Sequence, residues 1–80
     1  GGKNMNNWII AEKFAGKPYW YKHKFAPVWI LKNFGNRPLW PYEVYKTTEC
    51  GEYRKATGHT FSKLDLAKDH AETIINMESA

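Results

Sequence analysis

The side chains here with nucleophilic or metal-ligating chemistry are Cys50, His23, His59 and His70. A structural zinc site needs four nitrogen or sulfur ligands, usually in closely spaced pairs. Cys50, His59 and His70 match no such spacing, and a fourth ligand is missing, so neither a metal nor any other cofactor is expected. A Cys50 nucleophile with His59 as its base is conceivable if the two face each other across a hairpin. No third group is placed to orient the base, and no oxyanion site is recognisable. His23 sits in a stretch rich in Lys and Tyr and reads as a partly exposed surface residue. Gly16, Gly35, Gly51 and Gly58 are isolated turn glycines rather than a phosphate-cradling loop. The chain is therefore expected not to be an enzyme.

What remains is recognition chemistry. Every Trp, Tyr and Phe lies between Trp8 and Phe61, interleaved with Lys and Arg. Rings stack on bases while Lys and Arg meet phosphates, at about 1–3 kcal/mol per stacked base. The same residue types dominate the hot spots of protein interfaces. The candidate binding residues are Lys22, Lys24, Lys32, Arg37, Arg54 and Lys55 as phosphate contacts, with Trp20, Trp29 and Trp40 as stacking rings. For any single ring, core filling is an equally good reading.

Elements that would position these residues follow from periodicity. Ser62 reads as a helix N-cap answered by Asp65, with Phe61 and Leu66 at the positions of a hydrophobic staple. Behind them Leu64, Ala67, Ala71, Ile74 and Ile75 recur at helical spacing, which predicts a helix over about residues 63–77 whose apolar stripe faces a core. Glu72 falls mostly off that stripe. Upstream, β-branched and aromatic residues punctuated by Gly and Pro predict strands at Trp8 to Phe14, Tyr19 to Phe25, Val28 to Phe34, Tyr42 to Thr48 and Tyr53 to Thr60. The segment 28–34 could instead be a short helix between Pro27 and Gly35. Turns are expected at residues 15–18, 35–38 and 49–52, and Pro38 and Pro41 exclude Leu39 and Trp40 from a central strand. In the second strand Tyr19, Tyr21, His23 and Phe25 share one face, with Trp20, Lys22 and Lys24 on the other.

The expected architecture is α+β: an antiparallel sheet of three to five strands spanning residues 8–61, with one C-terminal amphipathic helix over 62–78 packed on one face. Its 80 residues form one domain. Gly1 to Asn4 read as a remnant preceding a start at Met5. One helix covers one face of a sheet, so the other face stays open and carries rings beside Lys.

The formal net charge of +4 divides into +6 over residues 1–61 and −2 over residues 62–80, which favours a polyanionic partner for the first part. A single cysteine excludes an internal disulfide and suits a reducing compartment. With no long apolar run either, a cytoplasmic location and no membrane partner are expected.

Thr60-Phe61 followed by Leu64, Ala67, Lys68 and Ala71 resembles the end of the arm-type and AP2-like DNA-binding domains, where a sheet ends in a Thr-Phe step and an Ala-rich helix packs behind it. It also resembles small phage proteins with the order strands, Thr-Phe or Thr-Leu step, helix. The resemblance covers the C-terminal part of the chain only. In the DNA-binding families the sheet enters the major groove, which would imply that Arg54 and Lys55 lie near DNA.

The expected function is a small non-enzymatic module that binds nucleic acid, DNA or RNA, through a basic aromatic sheet face. The alternative is a phage-type inhibitor or adaptor that covers a protein surface with the same rings. A homodimer through the open face is a third use of it.

Overall fold

A computed structural model describes residues 7–35 and 39–79, so the expectation placed on Gly1 to Asn4, most of the turn expected at residues 35–38 and the proposed contact Arg37 lie outside the described residues. Five strands, β1 (Trp8–Phe14), β2 (Lys17–His23), β3 (Val28–Lys32), β4 (Tyr42–Thr47) and β5 (Tyr53–Phe61), precede one helix, α1 (Leu64–Ser79). The strands form a single antiparallel meander in the order β1-β2-β3-β4-β5. The fold is α+β, with α1 packed over β3, β4 and β5.

The first hairpin turns more tightly than the sequence suggests. Ala15 and Gly16 both have positive φ, at 53° and 80°. This is the mirror-image turn whose twist matches that of paired strands. Lys17 and Pro18 therefore belong to β2, opposite Phe14 and Lys13. Pro18 is tolerated because β3 pairs with β2 only from Trp20 to Lys22, so no ladder bond is lost on that side. Ala15 is strained in this region, whereas Asn adopts it readily. Ala15→Asn is expected to stabilise the domain by about 0.5–1 kcal/mol in urea denaturation.

Segment 28–34 forms a strand, which ends at Lys32, and Leu39 and Trp40 stay in the β3–β4 connection. The base of that connection closes through Asn33 N–H donating to the Pro41 carbonyl at 2.8 Å. The β4–β5 turn closes through Gly51 N–H to the Thr48 carbonyl at 2.9 Å, with Gly51 at a φ of 86° that its lack of a Cβ permits. In β5 a bulge sets Ala56, Thr57, Gly58 and His59 against Val44 alone.

The core centres on Ile30 and Val44, cross-strand partners with no exposed surface. Ala67 and Ala71 of α1 are equally buried, and their small side chains let the helix axis approach the sheet. Trp8, Tyr21 and Val28 complete this layer, and Leu64, Ile74 and Ile75 pack against it, so the apolar stripe faces the core as expected.

Three expectations need correction. The helix begins one residue later than the Ser62 cap implies: its first bond runs from Ala67 N–H to the Lys63 carbonyl, at 3.2 Å. Leu66 is exposed, and the Phe61 ring lies instead against His70 at 5.1 Å, so the staple gives way to a contact one turn further along. Above all, His23 is not a surface residue. It is 3% exposed, and its Nε2 lies 2.8 Å from Oε1 of Glu72, itself buried. Glu72 thus lies on the covered face although its position on the wheel suggested solvent.

Candidate binding face

Strand alternation sends Tyr21, His23, Val28, Ile30 and Val44 under or beside the helix, and turns their neighbours to the opposite face. That face carries a contiguous set of rings. Trp20 of β2 and Trp29 of β3 stack with centroids 5.1 Å apart and planes 16° from parallel. Tyr53 meets both edge-on, at 5.5 Å from Trp20 and 5.4 Å from Trp29. Tyr45 leans on Trp20 at 6.1 Å. Trp29 Nε1–H donates to Thr47 Oγ1 at 2.7 Å, which fixes the ring's orientation. Edge-on and offset contacts of this kind suit the quadrupoles of aromatic rings.

Charges on this face are already engaged. Lys22 Nζ lies 5.5 Å from the Trp29 ring centroid and donates to the His23 carbonyl at 2.8 Å. Lys55 pairs with Glu43 at 3.0 Å. Glu43 also accepts from Asn33 Nδ2 at 2.7 Å and from the Tyr45 hydroxyl at 3.2 Å. Partial burial alone would push the Glu43 carboxyl up, but the Asn33 and Lys55 hydrogen bonds, the Lys55 charge and the Tyr45 hydroxyl together hold it below its usual range. The hydrogen bond to Glu43 and its charge raise Lys55 in turn, and burial chiefly raises Tyr45.

A carboxyl held low in the folded state stabilises above its unfolded value, and that contribution is lost as pH falls through the folded one. Stability should therefore decline as pH drops below the ordinary value of 4.5. Lys55→Gln should raise the Glu43 midpoint towards that value, read as the carboxyl carbon shift in an NMR titration. An unmoved midpoint would show that Lys55 does not act on Glu43.

Of the candidate residues, the structure brings Trp20, Lys22, Trp29 and Lys55 together. Lys24 is exposed just past the end of β2. Lys32 lies on the other face, because β3 buries Val28 and Ile30 there, and its Nζ sits 5.7 Å from the Tyr42 ring and 5.8 Å from Phe34. Arg54 also faces away, opposite Lys46, whose Nζ reaches Glu78 of α1 at 2.8 Å; Arg54 itself pairs with Glu52 at 3.1 Å. Trp40 is exposed in the β3–β4 connection, beyond the ring cluster. The expectation singled out neither Tyr45 nor Tyr53. The signal for Tyr45 is register, since it is the cross-strand partner of Trp29.

The chain matches no family model, no curated protein and no solved structure.

The Cys50–His59 pairing is not formed. Cys50 is exposed in the β4–β5 turn and His59 lies near the far end of β5, about 20 Å along an extended strand. His59 instead neighbours His70 of α1, with ring centroids 5.9 Å apart. Among the described residues no three His, Cys, Asp or Glu side chains cluster as metal ligands, and no helix is long and apolar enough to cross a membrane.

Proposed function

We propose that the chain is a non-enzymatic binding module of the inhibitor or adaptor kind, which covers an apolar patch on a protein partner with the sheet face that α1 leaves open. The observation that carries this reading is the division of the basic residues. Rings are contiguous on the open face, while Lys32 and Arg54 lie on the opposite one and Lys22 and Lys55 already have local partners. A track for a sugar-phosphate backbone needs several free cations alongside its rings. A protein hot spot needs clustered Trp and Tyr within a polar rim. Lys22 and the Lys55–Glu43 pair supply that rim here, and the two lysines favour a partner with carboxylates around its apolar patch.

Nucleic acid is the second reading, favoured by the +6 charge of residues 1–61 and by Lys22 lying over Trp29. The two readings differ in salt response, because phosphate binding releases counterions and weakens steeply with salt. Tryptophan fluorescence is the test. Affinity capture with wild-type protein and with Tyr53→Ala, followed by titration of the captured partner once purified, should show saturable quenching that changes little between two salt concentrations. Tyr53→Ala should weaken that binding by about 2 kcal/mol, roughly thirtyfold. Salt-sensitive quenching by single- or double-stranded oligonucleotides, with no partner distinguishing wild type from Tyr53→Ala, would replace this reading with the nucleic-acid one.

A further inference from the structure

The meander brings the β1–β2 turn and the β3–β4 connection to the same end of the sheet. That end carries large apolar side chains in solvent: Phe14 is 69% exposed and Leu39 76%, and Phe34 and Trp40 are exposed beside them in the chain. Three rings meet there: the Phe14 and Phe34 rings lie 6.3 Å apart, linking the two connections, and Tyr19 lies 6.0 Å from Phe34, while Leu39 and Trp40 add exposed apolar surface further along the β3–β4 connection. Lys13 and Lys17 flank Phe14 in the first hairpin, and Lys32 Nζ lies against Phe34. This patch is separate from the Trp20–Trp29 cluster: Phe14, Phe34, Leu39 and Trp40 lie at or beside the two connections, and Lys32 is on the opposite face of the sheet from Trp20 and Trp29.

We infer that this tip seats on an anionic lipid surface. Exposed Trp, Phe and Leu side chains at one end of the sheet can enter the boundary between headgroups and acyl chains, with basic side chains beside them to meet anionic headgroups. Trp and Tyr favour that boundary because one part of the ring is apolar and the other polar. Lys13, Lys17 and Lys32 lie where anionic headgroups would be, and their long stems allow the ammonium to remain at the surface while the rings sink. The expectation of no membrane partner rested on the lack of a long apolar run. This surface is composed of residues distant in sequence, so no linear window shows it.

The test is co-sedimentation of the full chain with phosphatidylcholine vesicles, with and without about a third phosphatidylserine. Binding to the anionic vesicles only is expected. Trp40→Ser and Phe14→Ser, both in exposed positions where folding should survive, should each weaken it by about tenfold. Tyr53→Ala should bind the vesicles as wild type does, which separates this surface from the open sheet face. Failure to bind anionic vesicles at low salt overturns the inference. So does equal binding by folded Trp40→Ser, which would mean adsorption by bulk charge. Lipid-independent self-association abolished by Trp40→Ser would instead assign the tip to a second copy of the chain.

Discussion

Replacing His23 by alanine is expected to destabilise the domain by about 3–5 kcal/mol, because it breaks a buried polar network from its centre. Nδ1 of His23 accepts from the backbone N–H groups of Phe25 and Ala26, each at 3.1 Å. With Nδ1 an acceptor, the ring proton is on Nε2, which donates to Glu72 Oε1 at 2.8 Å. The imidazole therefore ties the β2–β3 connection to the middle of α1, and Trp8 packs edge-on to it at 5.0 Å. Alanine would leave the Glu72 carboxyl buried without its principal donor, and two amides without an acceptor. For a domain of this size, whose total stability is on the order of 5–10 kcal/mol, such a loss approaches unfolding. Glu72→Gln keeps an oxygen that accepts from Nε2–H and should lose only about 1 kcal/mol. Urea denaturation of the two variants separates them. Equal, small losses would mean that His23 is merely enclosed and does not hold the helix.

Ile30→Ala and Ile10→Ala should differ sharply even though both residues face the same side of the sheet. Ile30 is 0% exposed beneath Ala67 and Ala71, and its truncation should remove about 2–5 kcal/mol through lost transfer energy and the cavity left behind. Ile10 is the cross-strand partner of the buried Tyr21, yet it remains 49% exposed, the main packing of α1 being on β3, β4 and β5. Its truncation should change stability by less than about 0.5 kcal/mol. Comparable losses at both positions, measured by thermal or urea unfolding, would mean that the helix spans the whole sheet. The β1 edge is left hydrophobic on both faces: Ile10 on the helix side and Ile9, the partner of Lys22, on the open side are each about half exposed.

Local pattern was enough for the elements. Trp8 to Phe14 is a strand with the bounds read from the sequence, and the helical stripe of Ala67, Ala71, Ile74 and Ile75 faces the core. Alternation in β2 separated Tyr21 and His23 from Trp20 and Lys22, because period two is a property of any pleated strand. Where the strands continue past a bulge or end early, that logic fails: Phe25 follows the end of β2 and lies exposed.

The candidate site was less legible for a related reason. Each strand declares which of its residues share a face, but not which face of the next strand matches it; register does that. Trp29 and Tyr45 became partners, and Lys32 and Arg54 fell to the helix side, only when β3 and β4 were paired. The burial of His23 and Glu72 depends on helix placement in the same way, since their contact joins residues far apart in the chain. Sequence determined the strands, the helix, its apolar stripe and the open aromatic face, all consequences of short-range periodicity. Tertiary structure alone decided which cations stand beside which rings, which histidine is enclosed and which apolar side chains gather at the tip, because each depends on cross-strand register and on where one short helix lies over a wider sheet.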